Sequence, residues 1–402
     1  MRKLKEASLD DVCLLVTDGT HDTPKRVKNG FPLIKAKEIV GGNIDFETCD
    51  QISEEEHLRV IARSKPEYGD TLFAHIGASL GEAAFVKTHR PFSIKNIALF
   101  KPNPRVIDES YLYYLVISPA FQELAKQTKT GSAQPFLSLG HLRSHRITYH
   151  VTLNEQREIA SILSAYDDLI ENNTRRIRIL EEMAQSLYRE WFVHFRFPGH
   201  KKVKMVDSLL GKIPEGWAST KLSDIALVNA SNIKRGEEPE EIDYIDIASV
   251  STGYIEKSEA LSFTDAPGRA RRRVKHGDII WATVRPNRKS YSIIMAPLSN
   301  LIVSTGFAVI TAVDVPYTYL YQAMTTEEFV GYLSNHAKGS AYPAVTAADF
   351  LDANILQPPR DVLKEFNKIV EPIFHWKQSM LKKNAKLCLT RNLLLSKLFL
   401  VG

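Results

Sequence analysis

Two long stretches of the chain carry apolar residues at every seventh position. From about Glu155 to Phe195 the sequence contains neither proline nor glycine, and the C-terminal stretch from Glu365 to Leu398 keeps the same spacing. The repeated positions are Leu163, Ile170, Ile177, Ala184 and Trp191, with Tyr166, Asn173, Leu180 and Leu187 between them, and then Phe366, Ile373, Met380, Leu387 and Leu394. A helix of about 40 residues extends for roughly 60 Å and cannot bury such a seam on a small domain, so the pattern predicts two long helices that pair.

Shorter apolar runs bounded by glycine and proline precede each long helix and predict strands. These runs are Phe31 to Ala36, Thr71 to Gly77, Ser93 to Phe100, Ile242 to Ala248, Asp278 to Val284 and Leu301 to Ile310. Helical stretches follow at Ser110 to Ile117 and Pro119 to Thr128, and again at Tyr317 to Ala323 and Thr326 to Ala337. The expected class is therefore α+β, with a mixed β-sheet plus helices in each globular part.

Short blocks of sequence recur in the same order in the two halves of the chain. Tyr68 to Ala74 matches His276 to Ala282, and Lys129 to Pro135 matches Ala337 to Pro343 at the same offset. Leu9 to Val12 similarly matches Leu222 to Ile225, and Pro32 to Ala36 matches Asp243 to Ile247. Matches in a conserved order predict a duplicated architecture. We expect a first globular domain over residues 1–152, a central helix over 153–197, a linker and second domain over 198–360, and a C-terminal helix over 361–402.

Charge, cysteine usage and hydropathy restrict the function classes. The chain has 52 Lys and Arg against 47 Asp and Glu, a mild basic excess that is compatible with a polyanionic partner. Cys13, Cys49 and Cys388 have neither disulfide-like nor zinc-ligand spacing, so we expect reduced thiols and no metal. The sequence shows no secretory signal and no apolar run long enough to span a membrane, and it predicts a cytoplasmic protein.

Motifs for catalysis or cofactor binding are not found in the sequence. Gly211-Lys212 lacks the rest of a nucleotide-binding loop, and Gln357 to Arg360 lacks the aromatic residue of a base-methylating turn. The stretch Gly77 to Gly81 resembles a phosphate-binding loop only weakly, and histidines such as His75 have no catalytic partner at a recognisable spacing. We therefore predict no catalytic residue and no cofactor on this chain.

Polar and basic loops at equivalent places in the two halves are the remaining candidate chemistry. Such side chains contact phosphates and base edges, although a solvated loop surface explains any single loop equally well. Two similar domains on a rigid spacer suit duplex DNA, which offers two separated sites. The candidate DNA-binding residues are Asp18, Gly19, Thr20, His21, Thr23, Lys35, Lys37, Ser79, Lys129, Gly131, Ser132, Gln134, Arg285, Asn287, Arg288, Lys338, Gly339, Ser340 and Tyr342, and a basic run extends from Arg269 to Lys275.

Several segments of the first long helix resemble the central region of Type I restriction-modification specificity subunits. These segments are Leu153 to Ile159, Leu169 to Asn173, Leu180 to Tyr188 and Trp191 to Val193, and the Gly211 to Trp217 segment and the turns Gly131 to Pro135 and Gly339 to Pro343 are similar too. The second long helix keeps the heptad spacing, but its amino-acid sequence differs from that of the first. The resemblance implies two target recognition domains separated by two antiparallel helices. It also implies that these domains read a bipartite DNA site.

The same resemblance implies two methyltransferase subunits docked on the helices and restriction/translocase subunits that join them. S-adenosylmethionine and ATP are then expected on those partners only. We expect Tyr188, Trp191 and Phe192 to bind a partner, because they offer more aromatic surface than a helix seam needs. The alternatives are a coiled-coil adaptor that does not bind DNA and a stand-alone DNA-modifying enzyme.

Overall fold

The chain divides into two compact units in the computed structural model, which describes residues 3–129 and 135–399 apart from the side chains of residues 128 and 129. The first unit comprises Met1–Asn172 with Lys383–Gly402, and the second comprises Asn173–Lys382. Both long helices therefore contribute a segment to each unit. Among the described residues, no helix has the length and apolar character that a membrane crossing requires.

The first unit is built from short strands and helices, together with the start of the first long helix and the end of the second. In chain order its elements are β1 (Leu4–Ser8), α1 (Leu9–Val12), β2 (Cys13–Asp18), β3 (Arg26–Val27), β4 (Phe31–Ile34), a 3-10 turn (Ala36–Glu38), β5 (Ile39–Val40), β6 (Asn43–Ile44), β7 (Asp50–Ile52), α2 (Glu54–Ile61), β8 (Thr71–Phe73), β9 (Ala83–Phe85), β10 (Ser93–Ile94), β11 (Ala98–Pro102), α3 (Glu109–Ile117), α4 (Pro119–Lys129), α5 (Leu139–Ser144), β12 (Arg146–His150) and α6 (Leu153–Tyr188).

The second unit begins within α6 and repeats much of this order. Its elements are a π-helical turn (Arg189–Val193), a 3-10 turn (His200–Lys202), β13 (Met205–Ser208), β14 (Gly211–Pro214), β15 (Ala218–Lys221), α7 (Leu222–Ile225), β16 (Ala226–Val228), β17 (Glu241–Ile245), a 3-10 turn (Ile247–Ser249), β18 (Val250–Ser251), β19 (Tyr254–Ile255), β20 (Glu259–Ser262), β21 (Ala270–Arg273), β22 (Ile279–Ala282), a 3-10 turn (Pro286–Arg288), β23 (Tyr291–Ile293), β24 (Leu301–Ser304), β25 (Phe307–Ala312), α8 (Tyr317–Met324), α9 (Glu327–His336), α10 (Ala347–Leu351), β26 (Asn354–Gln357) and α11 (Arg360–Phe399).

The two four-stranded sheets of each unit have similar topologies, and the second unit has an additional two-stranded sheet, β13-β14. The strand order β2-β11-β8-β9 in the first unit corresponds to β16-β25-β22-β23 in the second, and all neighbours in both are antiparallel. A second sheet contains β7-β4-β10 in the first unit and β20-β17-β24 in the second. In both, the middle strand has one parallel and one antiparallel neighbour. The fourth strand differs, because β3 extends this sheet beyond β7 and β21 extends it beyond β24. The predicted α+β class with two similar domains is confirmed.

The central strands β8 and β22 are buried on both of their faces. Side chains alternate between the faces of a strand. In β8, Phe73 joins the main core of the first unit and Leu72 joins a smaller cluster. In β22, Trp281 and Ile280 divide in the same way between two clusters of the second unit.

Two of the predicted strands are each interrupted and supply two strands instead of one. The run Ser93 to Phe100 contains β10 and β11, which belong to different sheets, and Asn96 between them adopts a positive φ of 54°. The run Leu301 to Ile310 contains β24 and β25, which also lie in different sheets. Polar residues occupy each turn, with Lys95 and Asn96 in the first and Ser304 and Thr305 at the second.

In the first unit, the start of α6 packs antiparallel to the end of α11. Asp167 forms an ion pair with Arg391 at 2.6 Å, and the Asn384 side chain donates to the Ile170 carbonyl at 3.4 Å. Partner numbers on α11 fall as the numbers on α6 rise, so the two segments run in opposite directions. The Tyr114 hydroxyl also donates to Asp167 at 2.7 Å, which ties the helix pair to the globular part of this unit.

In the second unit, the end of α6 packs against the start of α11 in the same antiparallel sense. The Lys377 ammonium lies 2.5 Å from Glu181, and the rings of Trp191 and Phe366 have centroids 5.8 Å apart. Lys377 also donates to the Gly253 carbonyl at 2.9 Å, in the turn between β18 and β19. The heptad pattern thus predicted the pairing of the long helices correctly.

The N-terminal end of α6 is anchored by one buried glutamine. Gln156 is fully buried, and its side-chain oxygen accepts the Asp108 backbone N–H at 2.7 Å. Its amide nitrogen donates to the carbonyls of Val106 and His150 at 3.1 and 2.8 Å. Gln156 therefore satisfies three backbone groups that burial would otherwise leave unpaired.

Candidate nucleic-acid interface

The same pair of loops is built in both units by equivalent backbone contacts. After β8, the Gly77 N–H donates to the Pro135 carbonyl at 2.8 Å, and after β22 the Arg285 N–H donates to the Pro343 carbonyl at 2.7 Å. Gly77 and Arg285 both have a positive φ, of 77° and 53°. The two units thus present the loops 77–81 and 285–289 on one common scaffold, but with different side chains.

In the second unit, this scaffold places three arginines around an open cleft of about 540 Å³. Arg269, Arg285 and Arg288 line the cleft together with Tyr342 and Asp246. We call this group the arginine cleft. The loop after β22, the loop before β21 and the 338–343 turn all contribute to it, although they are well separated in sequence.

The side chain of Arg285 is held in place by its neighbours. Its guanidinium lies 4.8 Å from the centroid of the Tyr342 ring and donates one hydrogen bond to the Ala341 carbonyl at 3.1 Å. Arg285 also has a left-handed backbone conformation, which is uncommon for a residue other than glycine. Tyr342 is 69% exposed, so this stack of cation and ring lies at the surface.

The positive charge of the arginine cleft is not neutralised within the second unit. Among the described residues, Arg269, Arg285 and Arg288 form no ion pair with any carboxylate within 4.0 Å. Asp246 caps a 3-10 turn instead, with one carboxylate oxygen accepting from the Ser249 N–H and hydroxyl at 2.9 and 2.7 Å. The cleft is therefore suited chemically to an anion or to hydrogen-bond acceptors.

In the first unit, the loop after β2 is organised around a buried aspartate. Asp18 is 3% exposed, and its carboxylate pairs with His21 at 2.7 Å and with Arg63. His75 lies within 4.0 Å of the same carboxylate, and its other ring nitrogen bonds the Leu137 carbonyl at 2.8 Å. Burial lowers the pKa of His75 below its usual range. Asp18 therefore joins this loop to the end of β8.

The same loop packs closely against the end of β10. A side chain on Gly19 would place its Cβ 2.1 Å from the Ile94 carbonyl oxygen, so this position requires glycine. The Thr20 N–H donates to the same carbonyl at 3.1 Å, and Lys95 donates to the Thr23 hydroxyl at 2.5 Å. Asp18 and Gly19 thus hold the conformation of this loop, and their contact with DNA stays a prediction.

Comparisons with known proteins show which proteins the chain resembles. The sequence model of the family described as Type I restriction modification DNA specificity domain matches residues 1–182. The Type I restriction enzyme MjaIX specificity subunit of Methanocaldococcus jannaschii is 26% identical over 366 residues, which cover 85% of this chain and 83% of the relative. This chain is therefore similar to the Type I restriction enzyme specificity subunits over most of its length.

Two further comparisons concern the sequence and the fold. The putative type I restriction enzyme MjaX specificity subunit of the same organism is 28% identical to this chain over 224 residues, covering 54% of this chain and 51% of the relative. The crystal structure of the S subunit from M. genitalium covers 100% of this chain and 97% of that chain, with a TM-score of 0.61 and 15% identity. At that identity the likeness concerns the fold alone.

The remaining predicted DNA-binding residues of the chain occupy varied surroundings. Asn287, Lys338, Gly339 and Ser340 are exposed near the arginine cleft, and His21 and Thr23 are exposed in the first unit. Lys35 is half-buried beside Asp50, Lys37 is exposed beside Glu38, and Ser79 is half-buried in the 77–81 loop. Gly131, Ser132, Gln134 and the side chain of Lys129 lie outside the described residues.

The aromatic residues at the end of α6 are buried, contrary to the expectation that they expose surface to a partner. Tyr188, Trp191 and Phe192 are 7%, 6% and 3% exposed, and they pack in the core of the second unit with Tyr319 and Phe366. The turn Arg189–Val193 is π-helical, and its wider winding lets the adjacent rings of Trp191 and Phe192 enter one core. Their predicted contact with a partner is therefore not available in this structure.

The structure adds site residues that the sequence did not single out. Arg269 was noted only as the start of a basic run, yet it lines the arginine cleft with Arg285. Lys35 and Asp246 both precede a 3-10 turn at equivalent places in the repeat, where the charge is reversed between the units. This reversal was visible in the aligned repeat. By contrast, the pairing of Arg63 with Asp18 depends on tertiary folding and has no sequence signal.

Proposed function

We propose that this specificity subunit binds double-stranded DNA and reads a bipartite site, one half with each recognition domain. The observation that carries the proposal is the repeated loop scaffold, in which Gly77 and Arg285 make the same backbone contact to equivalent prolines. A scaffold that is repeated in the two units but carries different side chains can bind two different base sequences with the same geometry, since side chains at the loops select the bases.

The electrostatics of the second unit support this proposal. Three arginines of the arginine cleft have no acidic partner among the described residues, and bringing them together costs free energy that an anionic ligand recovers. Phosphate contacts would give a general affinity for DNA, and base-edge contacts would give the sequence preference. An adaptor that does not bind DNA has no need of such a cleft.

The outer surfaces of the long helices are the proposed docking sites for the methyltransferase subunits. In the second unit, Ile179 and Met183 on α6 are each 52% exposed, and Ile369 and Trp376 on α11 are 48% and 63% exposed. Their spacings of four and seven residues place each pair along one side of its helix. Exposed apolar side chains at such spacing are suited to packing against helices of a partner.

Catalysis is assigned to the partners in this proposal. We infer that the specificity subunit transfers no methyl group and cuts no DNA by itself, and that S-adenosylmethionine and ATP bind to the methyltransferase and restriction/translocase subunits. A cytoplasmic location stays a prediction from the sequence.

Gel-shift titration of duplex DNA at several salt concentrations tests the proposal, with and without the methyltransferase subunit. We expect salt-dependent binding, methyl transfer only in the presence of the partner, and methylation of one bipartite motif. Methyl transfer by the isolated chain would contradict the assignment of catalysis, and a complete lack of DNA binding by the complex would support the adaptor alternative.

The docking surface has its own test. Trp376→Ala should lower the affinity for the methyltransferase subunit by about 2 kcal/mol or more, as expected for a large aromatic at the centre of an interface. Leu298→Ala is a matched control, because Leu298 is 70% exposed in a loop of the same unit away from the helices. Equal affinities of the two variants would exclude Trp376 from the interface.

A further inference from the structure

We propose that the arginine cleft binds guanine, so that the half-site of the second recognition domain contains a guanine. The equivalent loop of the first domain does not select guanine by the same chemistry. This inference rests on the proposed function and names the base that one of its two sites recognises. The arginines concerned are Arg269, Arg285 and Arg288.

Guanine is the base whose major-groove edge best matches this cleft. It presents two adjacent acceptors, O6 and N7, and arginine binds them with two parallel N–H donors. Within the described part of the chain, the Arg285 guanidinium donates one hydrogen bond, to the Ala341 carbonyl, and an arginine carries five N–H donors. Donors therefore remain for a bidentate contact.

Arg285 is also arranged in advance of binding. Its stack on Tyr342, with 4.8 Å between the guanidinium carbon and the ring centroid, and its bond to Ala341 restrict a side chain that otherwise has many rotamers. A restricted side chain loses less entropy when it binds, which favours a specific contact over a diffuse phosphate contact. Arg288 is exposed and makes no side-chain hydrogen bond to the described part of the chain, so it is the second candidate.

Asp246 completes the match with a G·C base pair. One of its carboxylate oxygens accepts two hydrogen bonds from Ser249, and the other receives none from the described residues. A carboxylate accepts from the amino group of cytosine, the partner of guanine. The cleft thus contains donors suited to one base of the pair and an acceptor suited to the other.

The first unit lacks this combination at the equivalent positions. Gly77 stands where the second unit has Arg285, and the 77–81 loop contains no arginine. Lys35 stands where the second unit has Asp246, and it pairs with Asp50. We therefore expect the guanine dependence in one half-site only.

The test is methylation sequencing of cells that express the full chain with its methyltransferase subunit. The variants are Arg285→Ala, Arg288→Ala and Arg285→Lys, and the control is Arg360→Ala, an exposed arginine of the same unit outside the cleft. We expect the native motif to contain guanine in one half, and an alanine variant to reduce the preference for that guanine by about tenfold to a hundredfold. Arg285→Lys should also lose the preference, because lysine keeps the charge but not the paired donors.

Three outcomes would overturn the inference. Uniform weakening at every sequence with recovery in Arg285→Lys would assign the cleft to phosphates. An unchanged motif in both alanine variants, or a half-site without guanine, would remove the arginines from base reading. Each of these results leaves a bipartite motif in the native complex, whereas failure of the proposed function would abolish the motif itself.

Discussion

Replacing Lys377 by methionine should weaken the second unit at the point where both long helices meet its globular part. The Lys377 side chain is 11% exposed, and its ammonium contacts Glu181 on α6 at 2.5 Å and the Gly253 carbonyl at 2.9 Å. Methionine keeps much of the apolar stem but removes the donor. Glu181 and the Gly253 carbonyl then lose their shared partner.

The magnitude follows from the burial of the two charges. Breaking a fully buried ion pair costs about 3–5 kcal/mol, because one charge is left uncompensated. Glu181 is 37% exposed and regains some hydration, so we expect a loss of about 2 kcal/mol in the free energy of unfolding. Lys368→Met is the control, since Lys368 is 59% exposed and its pair with Glu365 should contribute at most about 0.5 kcal/mol.

Tryptophan fluorescence during urea unfolding measures this effect selectively. All four tryptophans, Trp191, Trp217, Trp281 and Trp376, lie in the second unit. Adding Glu181→Gln to the Lys377→Met background should cost less than Glu181→Gln alone, which gives a positive coupling in a double-mutant cycle. A Lys377→Met midpoint equal to that of Lys368→Met would refute the reasoning.

Three other changes should give distinct results. Gly19→Ala should cost the first unit roughly 1–3 kcal/mol, since its Cβ would overlap the Ile94 carbonyl, and methylation sequencing should show loss of one half-site preference. Because burial lowers the pKa of His75, the first unit should lose stability as the pH falls below about 6.5, and circular dichroism should show a smaller loss in His75→Gln. Seven-residue insertions after Arg176 and Leu381 add about 10 Å of helix in register, so methylation mapping should show an unread spacer longer by roughly one to three base pairs.

Periodic features of the fold were predictable from the sequence. The heptad spacing through Ile177 and Ile373 predicted the long helices because a buried seam requires it, and both residues are buried. The aligned repeat predicted equivalent loops because Gly77 and Arg285 have the same backbone conformation in the same scaffold. The spacing of apolar residues and the order of the repeated segments can be read directly from the amino-acid sequence.

Contacts between distant segments were not predictable in the same way. The amino-acid sequence gives no indication that Asp18 is buried against Arg63, or that Arg269 lies beside Arg285. The burial of Phe192 was missed because it lies beside the heptad seam and not on it, and the π-helical turn lets it enter the core together with Trp191. These features depend on tertiary packing, which overrides local pattern.

The central claim is that each recognition domain reads its half of the site independently. A domain exchange tests it most directly: residues 218–357 are replaced by the corresponding domain of another specificity subunit, and methylated DNA is sequenced from cells that also express the methyltransferase subunit. We predict that one half of the motif changes, while the other half and the spacer length stay as in the native complex. A change in both halves, or an unchanged motif in an active complex, would contradict the claim.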